Sequence, residues 1–192
     1  MPLQMPIWDQ QELETGLRDF ITLRDPRAIV LLTAAVDARF KLPVYTLGLL
    51  DVVGANGLRA ASPAGWRYMA AAHGQAAAAE ITQSNGRITS LASGPHIQKA
   101  VDALIALHRH EEVRGQNYRV VILRVPGARV EAYWLQVGEV ISDADRVWLY
   151  LAVNKRLSTG MLLPAEVFLD AIRDKDFAQR HLEFYRHDLA GV

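Results

Sequence analysis

In the stretch from Gly94 to Gln136 the hydrophobic pattern of the chain changes from a helical period to an alternating one. Apolar residues in the first part recur at the i, i+3, i+4 spacing of a single helical face. In the second part β-branched and aromatic residues dominate, and only Pro126-Gly127, a pair suited to a tight turn, interrupts them. The stretch therefore predicts a helix over 95–111 and then a β-hairpin, with the hairpin central in an antiparallel sheet and the helix packed across one face.

Further hairpin signals lie on both sides of this stretch. Asn85-Gly86 favours a two-residue turn, so Glu80–Thr82 is predicted to pair with Arg87–Thr89. Arg146–Val153 alternates two sets of apolar residues, as in a strand that is covered on both faces. Together these patterns predict an α+β fold: a mainly antiparallel sheet of about five to seven strands built from hairpins, one central helix packed on it, and helices at both termini.

Three other segments are interpreted as strands. Val44–Val53 is strand-like, and Gly65–Ala72 is a second candidate that ends at a turn in His73-Gly74. In Ala76–Gln83 four consecutive alanines favour a helix, whereas the flanking residues favour a strand. The context predicts a strand there.

The N-terminal segment carries helical signals. Asp9 and Glu12 have the spacing of a capping box, which predicts a helix start. Residues 26–40 keep helical spacing after a proline suited to a first helical turn, so a second helix is predicted there. The alternative for this segment is a buried strand through Ile29–Leu32.

The whole chain, 1–192, is predicted to form one α+β domain, because its length suits a single core and no linker-like segment divides it. Within it, 1–40 is an N-terminal helical segment and 42–153 forms the sheet with its helix. The range 164–189 is a C-terminal helical segment, as one helix or two, with Pro164 in its first turn.

Composition excludes several classes of function. Lys plus Arg equals Asp plus Glu at 21 each, so no net charge favours nucleic acid or an anionic membrane. The chain has no cysteine, which excludes disulfides and thiolate metal sites. The N-terminus lacks the pattern of a secretory signal, and the longest apolar stretch, Ala28–Val36, is too short for a membrane span. The expectation is a soluble, cytoplasmic protein, and the excess of arginine over lysine suggests a bacterial one.

One dense group of potential metal ligands or proton-transfer residues lies at His108–Glu112. On a helix, His108 and Glu112 share a face, but the spacing of a two-histidine zinc motif is missing. Histidine and arginine also favour the C-terminal end of a helix for electrostatic reasons. The preferred interpretation is a helix end, and a second polar group from His181 to Asp188 is interpreted in the same way. No catalytic residue, metal site or cofactor is predicted, since nucleophile elbows and phosphate-binding loops are also missing.

Aromatic and arginine residues alternate on several predicted strands and offer a candidate binding surface. Such a mixture suits a protein interface or a pocket for an anionic ligand. In the competing interpretation, the large aromatic residues fill the core and the arginines lie along the outer face. The candidate binding residues are Trp66, Arg67, Tyr133, Trp148 and Arg146.

The sequence favours a non-enzymatic protein that acts as a protein–protein interaction or assembly module, through a protein partner or through self-association into a homo-oligomer. The alternative is a protein that binds a small anionic ligand, or an unusual enzyme. In this alternative the ligand lies in a pocket lined by aromatic residues and arginines, with a histidine such as His108 for proton transfer. No nucleic-acid or membrane partner is predicted. Nucleic-acid binding through an arginine stripe is a third and weaker hypothesis.

Overall fold

The computed structural model describes residues 14–19, 21, 26–34, 39–54, 56–83, 87–138, 141–142, 144–152 and 159–173. The fold is α+β, with a mixed and mostly antiparallel eight-stranded sheet in the order β4-β3-β2-β1-β5-β6-β7-β8. The strands are β1 (Arg39–Thr46), β2 (Ser62–Ala72), β3 (Gln75–Thr82), β4 (Ile88–Ser93), β5 (Arg119–Val125), β6 (Val130–Gln136), β7 (Arg146–Ala152) and β8 (Leu162–Pro164). The helices are α1 (residues 14–19 and 21), α2 (Val30–Thr33), α3 (Leu49–Val53), α4 (Pro95–Arg109) and α5 (Ala165–Arg173).

The α+β class is confirmed, but two details of the predicted fold are wrong. The sheet has eight strands rather than five to seven, because the three-residue β8 is too short to show an alternating pattern. The prediction of a single helix packed on the sheet is also wrong, because two helices pack on it. The helix α4 contacts β3 and β4, and α5 contacts β7 and β8.

Contacts between Cα atoms divide the chain into two compact units. The first comprises Met1–Val44 with Pro63–Val120, and the second comprises Tyr45–Ser62 with Val121–Val192. That all 192 residues form one domain stays a prediction.

In the first unit, β2, β3 and β4 follow one another as an antiparallel meander. The turn at His73-Gly74 is confirmed, and both residues have positive φ, 52° and 73°, as a tight two-residue hairpin requires. The strand over the alanine run is confirmed as β3. The Asn85-Gly86 turn lies outside the described residues. Of the predicted pairing, Ile81 lies opposite Ile88 and Thr82 N donates to Arg87 O at 3.1 Å, but a bulge sets Glu80 opposite Ser90 instead of Thr89.

Small side chains explain why an alanine-rich segment forms a central strand here. Ala77 and Ala79 on one face belong to a buried cluster with residues of α1 and α2, such as Leu17 and Leu31. The helix α4 contacts β3 and β4 but contributes nothing to this cluster, so it covers the other face. Because β3 is buried on both faces, alanine allows the helices to approach closely, and this packing outweighs its helical propensity.

Two predictions for the N-terminal part are partly wrong. The segment 26–40 begins as a short 3-10 helix and the four-residue α2, but Phe40 lies in β1. The predicted strand over Val44–Val53 ends at Thr46, and Leu49–Val53 is helical because Val52 N donates to Gly48 O. Short apolar runs do not distinguish helix from strand by period alone, which explains both errors. The capping box at Asp9 and Glu12 lies outside the described residues.

In the second unit, alternate residues of β5, β6 and β7 form one core with α3 and α5. Leu123, Trp134 and Leu149 are buried there against Phe168 and Ile172 of α5. The predicted hairpin of β5 and β6 is confirmed, with a 3-10 turn at Pro126–Ala128. Arg129 closes the turn with φ 50°, and its N–H donates to Pro126 O at 2.9 Å.

The C-terminal helix starts one residue later than predicted. Pro164 is the last residue of β8, and α5 begins at Ala165. Phe168 and Ile172 face the core, whereas Val167 is 50% exposed. Residues 174–192, with the group around His181, lie outside the described residues.

Candidate functional site

Two of the five candidate binding residues, Trp66 and Arg67, lie side by side on β2 in the first unit. Arg67 is only 5% exposed, and its Nε donates to Glu80 directly across the strand pair at 2.5 Å. The Nζ atom of Lys41 lies 5.8 Å from the centroid of the Trp66 ring. Burial lowers the pKa of Lys41. Because Arg67 donates to Glu80, its guanidinium is engaged by a carboxylate of the neighbouring strand.

Removing that carboxylate should destabilise the fold. In a Glu80→Gln variant the mostly buried Arg67 guanidinium keeps a hydrogen-bond partner but loses the opposite charge, which should lower the free energy of unfolding by about 2 kcal/mol. Urea denaturation measures the change. Glu112→Gln, at an exposed position, is the matched control and should change stability by less than about 0.5 kcal/mol. Equal effects of the two substitutions would contradict this account of the pair.

The other three candidates, Tyr133, Trp148 and Arg146, lie in the second unit. Tyr133 and Trp148 are direct partners across β6 and β7, and they are 0% and 6% exposed. The Tyr133 ring also lies 4.5 Å from that of Tyr150, centroid to centroid. Arg146 donates from Nη1 to the carbonyl oxygens of Ala144 and Asp145, next to it in the chain. The two aromatic side chains are thus core residues of the sheet, and the arginine holds the adjoining loop.

Glu131 lies at the centre of a polar cluster on β5, β6 and β7, which the sequence pattern did not indicate. Its Oε1 accepts from Arg124 Nε at 2.8 Å, and its Oε2 accepts from the Tyr150 hydroxyl at 3.1 Å. The cluster sits beside an irregularity in the β6–β7 register between Glu131 and Ala132. Both carboxylate oxygens are therefore engaged by protein donors.

Asp145 is the second polar residue that sequence reasoning missed. It is 0% exposed, and its Oδ2 accepts from Trp134 Nε1 at 2.9 Å. Its Oδ1 accepts from Val137 N at 3.1 Å and from Ser142 Oγ at 3.3 Å. One carboxylate thus joins the core tryptophan to both ends of the connection between β6 and β7. This geometry is that of a structural residue.

A cavity of about 250 Å³ opens in the second unit beside α5. Its apolar wall includes Leu58 and Leu169, and charged residues line it as well. Arg173 is held in place there, since its Nε donates to Val52 O at 2.6 Å and its Nη1 to Asp170 Oδ1 at 3.1 Å. The described residues that line it are Asn56, Gly57, Leu58, Arg59, Ile141, Ser142, Ala165, Glu166, Leu169 and Arg173. None of the five candidate binding residues belongs to it.

The histidine-rich group ends α4. The ring of His108 is exposed, and its Nδ1 lies 2.8 Å from Leu104 O one turn earlier. Glu111 and Glu112 follow in an exposed turn. Within the described residues, no set of three or more histidine, aspartate or glutamate side chains is grouped closely enough to hold a metal ion.

The strand β4 forms the edge of the sheet in the first unit. It stands first in the strand order and pairs only with β3 among the described strands. Gly94 N donates to Ala76 O at 3.2 Å, so by alternation Ala92 and Ser90 also direct their backbone groups to β3. The N–H and C=O groups of Leu91 consequently face away from the sheet.

Comparison of the chain with protein-family models, curated proteins and solved structures finds no match. In the part of the chain that the structure describes, no helix has the length and apolar character needed to span a membrane.

Proposed function

We propose that this protein is an assembly module that self-associates through its edge strand β4. The observation that carries the proposal is the composition of this edge, Ile88–Ser93, which contains no charged residue and no proline. Exposed strand edges pair with other chains unless a charge, a proline, a bulge or a covering segment prevents it. The edge β4 has neither a charge nor a proline over its six residues, and its bulge lies at the Ile88 end, opposite Glu80 and Ile81.

The opposite edge of the sheet provides the contrast. β8 has only three residues, and its last one is Pro164, which cannot donate to a neighbouring strand. Short edges and prolines are the usual means by which proteins block edge pairing. The asymmetry between the two edges supports β4 as the surface for association.

The outward-facing groups of β4 suit a two-fold pairing with a second copy. An antiparallel pair centred on Leu91 sets Leu91 opposite the same residue of the partner. Such a pair forms about two to four main-chain hydrogen bonds, each contributing about 0.5–1.5 kcal/mol net. Since association itself costs at least about 4 kcal/mol, we expect a weak, reversible homodimer with a dissociation constant of the order of millimolar.

Static light scattering tests the proposal over concentrations from the micromolar to the millimolar range. The wild-type chain should convert from the mass of a monomer, 21.3 kDa, toward twice that mass as its concentration rises. Ser90→Lys places a charge on the exposed side of the edge, next to the partner strand, and should raise the dissociation constant at least about tenfold.

The matched control is Ala64→Lys, which adds the same charge at an exposed position of β2. It should dimerise like the wild-type chain. A wild-type chain that stays monomeric at every concentration would contradict the proposal, as would a dimer that Ser90→Lys leaves unchanged.

A further inference from the structure

We infer that the cavity beside α5 is a binding site for a small zwitterion, an apolar α-amino acid. The inference is independent of self-association, because every residue that lines the cavity belongs to the second unit and β4 belongs to the first. It differs from the sequence-based alternative, a protein that binds an anionic ligand, in both the class of the ligand and the residues that bind it.

The size of the cavity and its apolar wall set the first limit on the ligand. About 250 Å³ lies below the roughly 300–1,000 Å³ of sites for drug-sized molecules, so the ligand has few heavy atoms. Leu58 and Leu169 are buried residues of the adjoining core, and Ile141 packs against the same core. This apolar wall favours a ligand with a short aliphatic side chain.

Two opposite charges set the second limit. Arg59 and Glu166 both line the cavity and are exposed, and within the described chain neither forms an ion pair or side-chain hydrogen bond. Arg173 differs, because its guanidinium already binds Asp170 and the carbonyl oxygens of Val52 and Gly54. Among the described lining residues, the charges available to a ligand are therefore one guanidinium and one carboxylate.

This pair of charges discriminates among ligand classes. A simple carboxylate gains from Arg59 but meets repulsion from Glu166, and a simple amine meets the reverse. An α-amino acid carries both a carboxylate and an ammonium group, so it complements both residues while its side chain lies on the apolar wall. Asn56 and Ser142, which also line the cavity, add hydrogen-bonding groups for the same polar end.

Isothermal titration calorimetry on the full chain tests the assignment with three ligands that share the same branched aliphatic side chain. These are leucine, 4-methylpentanoate, which lacks the ammonium group, and 3-methylbutylamine, which lacks the carboxylate. Since the two charged residues are exposed, leucine should bind in the micromolar to millimolar range. Each of the other two ligands should bind at least about tenfold more weakly.

Two substitutions locate the site. Arg59→Gln and Glu166→Gln should each weaken leucine binding about tenfold or more, and because both positions are exposed the variants should melt at the wild-type temperature. Arg109→Gln, at an exposed position of α4, is the matched control and should leave leucine binding unchanged. The inference is overturned if leucine does not bind at millimolar concentration, if 4-methylpentanoate binds equally well, or if neither cavity substitution changes the affinity.

Discussion

Gly65→Ala should lower the free energy of unfolding by more than about 4 kcal/mol, enough to unfold a marginally stable domain. Gly65 has φ of 148°, a conformation that residues with a side chain rarely adopt. A Cβ atom at this position would lie 2.2 Å from Ile81 O and 3.3 Å from Gln83 N. Both contacts are with backbone of β3 and the turn after it, so no side-chain rotation can relieve them.

The measurement is the midpoint of urea denaturation, compared with Gly74→Ala as the matched control. Gly74 also has positive φ, 73°, but a Cβ atom there would meet nothing within 4 Å. The control isolates the conformational cost of roughly 1–2 kcal/mol from the steric clash. If both variants lost the same stability, the close approach of β2 to Ile81 would be refuted.

Asp145→Ala should have the second-largest effect, a loss of about 3–5 kcal/mol in the free energy of unfolding. The substitution removes a fully buried carboxylate that accepts three hydrogen bonds. It leaves the indole N–H of Trp134 and the backbone N–H of Val137 without their acceptor, and each unsatisfied buried donor costs about 1–3 kcal/mol. The connection between β6 and β7 should lose its ordered ends at the same time.

Asp145→Asn separates the shape of the side chain from its acceptors. An asparagine keeps one oxygen acceptor but turns an N–H₂ group toward one of the donors, so about 2 kcal/mol should still be lost. Asp102→Ala is the control, because Asp102 is exposed and accepts from Gln98 Nε2 on the same helix. It should cost less than about 0.5 kcal/mol. An Asp145→Ala variant as stable as that control would contradict the structural role of the network.

Local sequence signals account for the parts of the fold that were correctly predicted. The turns at His73-Gly74 and at Pro126-Gly127 depend on residues that tolerate or impose particular backbone conformations, and such signals act over a few residues. The helix α4 has one buried face at helical spacing, and its end at Arg109 falls within two residues of the predicted end. Long, strongly periodic elements are readable because every turn repeats the same information.

The errors arise where the local pattern fits two structures. Val44–Val53 contains enough apolar residues for a strand, yet its second half forms α3 because tertiary packing buries Val52 against the core. The three residues of β8 are paired with β7 but carry no period of their own. In both cases the deciding interactions come from residues distant in the sequence.

The sequence predicts the candidate site less well than it predicts the fold. Aromatic residues suit a core and a binding surface equally well, and only the burial of Tyr133 and Trp148 separates the two interpretations. The residues of the cavity come from segments around Asn56, Ser142 and Glu166 that are distant in the sequence, so no local motif indicates that they form one site. The lack of charge and proline in β4 is visible in its sequence, but its position at the edge depends on the strand order.

Disulfide cross-linking of a Leu91→Cys variant tests the central claim most directly. The chain has no cysteine of its own, so the introduced thiol is the only one present. In the two-fold pairing of β4 the two Leu91 Cα atoms would lie about 5.5 Å apart, within the range of a disulfide. Met161→Cys, at a 49% exposed residue beside β8, is the control. We expect mild oxidation to convert Leu91→Cys to a covalent dimer and to leave Met161→Cys monomeric; a monomeric Leu91→Cys, or cross-linking of Met161→Cys alone, would contradict the account.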